Sequence, residues 1–172
     1  VRALLDQLRV LRVDQALLET LFSRTCNEPA FADADVAPLE IDAAEGALPA
    51  AVVVPRYAFD DILHNLLRNG IQSSLAHCPP DAPVRIGLGV AVEVDLITGL
   101  ARVALRIRDR SPQRLTPEML RGRYIEEGLG LTADLVSRHE GTLDVEEAAP
   151  PWQKAVVVKL PQHDEDDDEE WA

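Results

Sequence analysis

At 172 residues, with 47% hydrophobic and 27% charged side chains, the chain has the length and mixture of one globular domain with a single core. Its formal net charge of -13 argues against a partner bound through a phosphate backbone, because nucleic-acid affinity rests on Lys and Arg displacing counterions. Seven of the thirteen net negative charges fall in the run 164–170, so six remain on the rest and no basic face stands out. Cys26 and Cys78 are isolated and read as free thiols of a reducing compartment, and His77 beside Cys78 reads as loop, since no further ligands cluster with the pair. No apolar run reaches the roughly 20 residues of a membrane span, so the segment reads as cytoplasmic, with no membrane contact of its own. It opens in mid-pattern without Met and reads as a piece of a longer protein.

In chain order, Leu4, Leu8, Leu11, Leu18 and Phe22 recur at helical spacing and predict a first helix over 2–24. A Pro-, Ala- and acid-rich stretch follows, with short strands around Leu39 to Asp42 and Ala51 to Val54. From Tyr57 to His77 the apolar residues Phe59, Ile62, Leu63, Leu66, Leu67 and Ile71 repeat every three or four positions, and Cys78-Pro79-Pro80 ends the helix. Alternation over Val84 to Asp95 and Leu100 to Asp109, joined at Thr98-Gly99, predicts an antiparallel hairpin. A polar segment leads to Gly128-Leu129-Gly130-Leu131, a helix through His139, a stop at Gly141, and strands near Thr142 to Glu146 and Lys154 to Leu160. Helices segregated from hairpin-linked strands predict an α+β two-layer sandwich, a mixed and mainly antiparallel sheet with helices on one face. The seven adjacent carboxylates of the tail repel one another and bury nothing, which predicts a disordered end over 162–172.

On the Tyr57 helix, Asn65, Asn69 and Gln72 stand at i, i+4 and i+7, so three carboxamides share one stripe away from the leucines. Such a stripe is either a solvated face or one side of a polar site. An acid closing a strand at Arg106-Ile107-Arg108-Asp109, with a Gly-x-Gly at a helix start some twenty residues on, favours the site.

In this order the residues resemble the Bergerat-type ATP-binding fold shared by histidine kinases, gyrase-type ATPases and their relatives. Ile62-Leu-His-Asn-Leu-Leu-Arg-Asn-Gly70 resembles the asparagine box, and Leu105-Arg-Ile-Arg-Asp109 the strand into the first glycine box. Glu127-Gly-Leu-Gly-Leu131 resembles the second glycine box, and Val136-Ser-Arg-His-Glu-Gly141 the helix and turn after it; the likeness spans 36–161. The resemblance implies Mg-ATP as cofactor, with Asn65 and Asn69 in the catalytic box and the Asn69 carboxamide oxygen on Mg²⁺. It implies that Asp109 accepts a hydrogen bond from the adenine amino group and rejects guanine, whose carbonyl is a second acceptor. Gly128, Leu129, Gly130 and Leu131 would bring backbone N–H groups and a helix N-terminus to the phosphates.

Three departures qualify the likeness. The pattern D-x-G-x-G is here Asp109-Arg-Ser-Pro-Gln113, so Ser111 and Gln113 replace both flexible glycines and stiffen the floor. Gln72 stands where kinases often carry a basic residue, leaving Arg121 or Arg123 in the short lid to neutralise phosphate. Asn65 occupies the position of the glutamate base in hydrolysing relatives, and a carboxamide takes up no proton near neutral pH, which disfavours steady hydrolysis. Phosphoryl transfer needs positioning more than a base here. His64 reads as structural, and His139 resembles a turn-supporting histidine.

The implied function is the catalytic domain of a sensor histidine kinase, passing the γ-phosphate of ATP to a histidine on another domain, with a response regulator downstream. The segment 1–24 would join a dimeric helical stalk. The alternatives are a degenerate module that docks or serves phosphotransfer without ATP chemistry, and a serine-kinase-like anti-sigma regulator.

Overall fold

A computed structural model of the chain describes residues 9–120 and 129–164. Residues 2–8 of the helix expected over 2–24 lie outside the described residues. Among the described residues the first element is a strand, β1 (Val10–Val13), where helix was expected, and a helix follows, α1 (Gln15–Cys26). Asp14 is the reason. Its backbone is extended and its carboxylate accepts the Leu17 N–H at 2.8 Å, so it caps α1 and separates it from the strand. Leu18, Leu21, Phe22 and Thr25 form the buried stripe of α1. A short 3₁₀ turn, Pro29–Phe31, leads to β2 (Glu40–Ala43) and β3 (Ala50–Val53).

Helix α2 (Arg56–His77) starts after Pro55, whose missing N–H and fixed φ suit a helix entrance. It buries Phe59, Ile62, Leu63, Leu66, Leu67 and Ile71 along one face. Strands β4 (Gly87–Val94) and β5 (Ala101–Asp109) make the expected hairpin. At its tip Asp95 accepts the N–H groups of Ile97 and Thr98, and Gly99 takes a positive φ of 71°. Helix α3 (Leu129–Arg138) and strands β6 (Thr142–Glu147) and β7 (Lys154–Pro161) follow.

The stop of α3 differs from the one expected at Gly141. Glu140 takes the left-handed conformation at φ 59°, its N–H donating to Ser137 O, while the Gly141 N–H reaches back to Val136 O at 2.9 Å. Gly141 serves close packing instead. A Cβ there would lie 2.7 Å from the carbonyl oxygen of Lys159, so only glycine lets the end of α3 press on β7.

The five-stranded sheet runs β2-β4-β5-β7-β6, with β2 parallel to β4 and every other pairing antiparallel, and β1-β3 forms a separate two-stranded ribbon. Alternation sends Leu88, Val90, Val103, Leu105, Ile107, Val156, Val158 and Leu160 into one core with the helices, giving an α+β sandwich. The other face is charged. Arg106 bridges Glu93 and Glu146 at 2.6 and 3.0 Å, and Lys159 reaches Glu93 at 2.8 Å. Hydrogen bonds from Lys159 and then Arg106 hold the Glu93 carboxyl below the usual carboxylate range. Among the described residues no helix is long and apolar enough to cross a membrane. The acidic run after Asp164 lies outside them.

Candidate functional site

The carboxamide stripe lies where the sequence put it. Asn65 and Asn69 are half-buried on α2, and Gln72, one turn on, is exposed. Among the described residues no hydrogen bond engages the side chain of Asn65 or Asn69, although each can make several.

Helix α3 packs against α2. Leu129 is buried, Gly130 half-buried and Leu131 exposed, so the second leucine of the Gly-Leu-Gly-Leu run faces outward. Arg121, Arg123 and Gly128 lie outside the described residues. His64 sits on another flank of α2: Nε2 lies 2.5 Å from Glu28 Oε1 and Nδ1 3.2 Å from Thr25 Oγ1, which ties α2 to the end of α1.

Asp109 closes β5 and is fully buried, on the inner face of the sheet. Burial pushes its carboxyl above the usual aspartate value, against the opposing pull of Lys154 and of the Ser111 N–H. The Lys154 partner is what the sequence did not disclose. Lys154 is paired with Asp109 in the β5–β7 register, and its ammonium donates to Asp109 Oδ1 at 2.9 Å and to Ser111 O at 3.2 Å. The Ser111 N–H donates to the same Oδ1 at 2.8 Å. The other oxygen, Oδ2, receives no hydrogen bond among the described residues and stands 3.9 Å from where a Cβ on Gly70 would be.

The segment after Asp109 is tied down. Ser73 Oγ on α2 is hydrogen-bonded to Ser111 Oγ at 2.7 Å and to Gln113 Oε1 at 2.8 Å, and the Gln113 N–H reaches Ser111 Oγ at 3.2 Å. Ser111 and Gln113 therefore tie the segment after Asp109 to α2. Ser73, like Lys154, escaped the sequence reading, because its contact spans 38 residues and no local pattern marks it.

Neither a protein-family model nor a curated protein sequence matches the chain. Solved structures do. A mycobacterial sensor histidine kinase, MprB, is 19% identical over 89% of this chain and 99% of that one, with a TM-score of 0.53. A histidine kinase of Acinetobacter baumannii, AdeS, is 17% identical over 91% of this chain and 69% of that one, with a TM-score of 0.57. At such identities the likeness is one of fold: the chain shares the α+β sandwich of these histidine-kinase structures.

Proposed function

We propose that this chain is the ATP-binding domain of a sensor histidine kinase, working in the cytoplasm and holding Mg-ATP between α2 and the first turn of α3. The observation that carries the reading is the pair of half-buried, unengaged carboxamides of Asn65 and Asn69, one turn apart on α2. A neutral amide oxygen suits Mg²⁺, which keeps several waters and shares phosphate oxygens instead of demanding an all-protein cage. Asn69 would hold the ion, and the ion would neutralise charge on the phosphates. Asn65 orients without abstracting a proton, so the site favours transfer to a nucleophile from elsewhere over hydrolysis. The nucleophile is a histidine on another domain, and a response regulator takes the phosphoryl group next. Asp109 Oδ2, open beside Gly70, accepts from the base.

Gln72, exposed on the same stripe, and Arg123 are the proposed outer contacts to phosphate, with Gly128, Leu129, Gly130 and Leu131 supplying the backbone at the helix start. The N-terminal segment through residue 24 is the proposed join to a dimeric stalk.

A second reading has its own observation. Lys154 already neutralises Asp109, and Ser73 already pins the 111–113 floor, which suits a docking or phosphotransfer module without ATP chemistry. Calorimetric titration with a non-hydrolysable ATP analogue, in Mg²⁺ and in chelator, separates the two. Saturable binding that weakens in chelator supports the kinase domain; no heat of binding in either buffer supports the docking module.

A further inference from the structure

The end of β5 carries a second polar cluster, on the sheet face turned away from α2. Gly87 lies between the core residues Ile86 and Leu88, so alternation turns it outward, and the indole of Trp152 covers it: a Cβ on Gly87 would stand 2.7 Å from the ring. The Trp152 N–H donates to Ala149 O at 3.1 Å and the Gln153 N–H to Asp109 O at 2.9 Å, which fastens the indole beside the end of β5. Two guanidiniums lie against this ring, Arg85 at 5.8 Å and Arg110 at 5.7 Å from its centroid.

The two arginines differ in what else they hold. Arg85 donates from Nε to Glu40 Oε2 at 2.9 Å. Further along the same face Arg108 holds Asp42 at 3.3 Å, and Arg106 holds Glu93 and Glu146. Arg110 holds no carboxylate. Among the described residues no hydrogen bond or ion pair engages its guanidinium, and its Nε is buried without an acceptor. A guanidinium offers five N–H donors, and a buried donor left without an acceptor is costly. Stacking on Trp152 fixes the fork before any acceptor arrives, so little rotamer freedom is lost when one does.

We propose that Arg110, held on Trp152, is a docking point for one carboxylate of an acidic side chain on a partner protein. The guanidinium fork matches a planar carboxylate in shape, and the charge around it sets the limit of one. Glu40, already taken by Arg85, lies close enough to feel Arg110, and the chain as a whole carries a net charge of -13. A nucleic acid, an anionic membrane or a doubly charged phosphate is repelled in such surroundings, whereas a single carboxylate gives Arg110 what Arg85, Arg106 and Arg108 already have. The cluster lies on the opposite side of the sheet from Asn65 and Asn69, and the proposal stands independently of the nucleotide reading.

The test is an NMR titration of the full chain at constant ionic strength, following the Arg110 Nε–H and Trp152 indole N–H resonances. The probes are the peptide acetyl-Gly-Glu-Gly-amide, its glutamine counterpart and inorganic phosphate. The glutamate peptide should shift both resonances saturably, with half-saturation at millimolar concentration, and the glutamine peptide should shift neither. Arg110→Gln should abolish the saturable shift of the indole, and Arg110→Lys, which keeps the charge but not the fork, should weaken binding by about threefold or more. An equal response to the two peptides, or an indole shift that survives in Arg110→Gln, overturns the inference. Phosphate binding more tightly than the glutamate peptide overturns the assignment to a carboxylate. If Arg110→Gln fails to fold, as a thermal melt would show, the peptide pair on the unmutated chain and Arg110→Lys decide.

Discussion

Burial makes the Asp109–Lys154 pair costly to form and more costly to break. Removing one partner leaves the other charge in a low-dielectric interior, at about 3–5 kcal/mol, whereas replacing both by neutral groups of like volume is far cheaper. Lys154→Met and Asp109→Asn should therefore each destabilise by about 3 kcal/mol at neutral pH, and the double variant by much less than their sum; additive losses in denaturant titrations would show the pair to be uncoupled. The pH dependence has a definite sign. Desolvation raises the folded pKa of Asp109 above its unfolded value. Its contribution to stability is then full below the unfolded pKa of about 3.9 and is lost as pH rises through the folded value. Without Lys154 that pKa rises further, so the penalty of Lys154→Met should shrink on acidification. At this scale Asn65, Asn69 and Asp109 could be singled out as candidates because each sits in a recognisable local run. Lys154 looked like any strand residue, since its pairing with Asp109 depends on a β5–β7 register set 45 residues apart.

Elements were legible wherever periodicity and punctuation agreed. Helix α2 has an apolar stripe, a proline entrance and a proline-rich exit, and the β4–β5 hairpin has alternation and a turn glycine. The start of the chain was not, because Leu8, Leu11 and Leu18 continue a helical spacing through a segment where Asp14 in fact ends a strand and begins a helix. Gly141 shows the same limit at the other end of the chain. It was legible as the stop of α3, yet Glu140 makes the turn, and the glycine is there for contact with a β7 backbone that sequence cannot place. A methyl group at Gly141 meets the Lys159 carbonyl oxygen, Val136 Cγ1 and Leu160 Cδ2 within 3.0 Å, and a strand backbone inside a sheet cannot retreat from it. Gly141→Ala should cost about 2 kcal/mol and lower the melting temperature by several degrees. An unchanged melt would mean that α3 does not press on β7 as described.

Among the described residues, one core joins the sheet, helices α1, α2 and α3 and the β1-β3 ribbon. The chain beyond β7 also takes part, because Gln162 N–H donates to Ala101 O at 3.1 Å and His163 N–H to Ala51 O at 2.9 Å, fastening the ribbon to the sheet. Truncation after Asp164 should leave the melting temperature unchanged, whereas truncation after Pro161 removes both bonds and should lower it by a few degrees. Equal melts for the two truncations would contradict this division.

The central claim is that α2 offers Asn69 to a metal-bound nucleotide, and Asn69→Ala tests it without disturbing the packing, which Leu66, Leu67 and Ile71 supply. The measurement is the calorimetric affinity for ATP in Mg²⁺ and in chelator, for the unmutated chain and the variant. The account predicts a Mg²⁺-dependent gain in affinity that disappears in Asn69→Ala while the thermal melt shifts by no more than about 1 kcal/mol in stability. Binding that ignores chelator, or a gain that survives in Asn69→Ala, would contradict it.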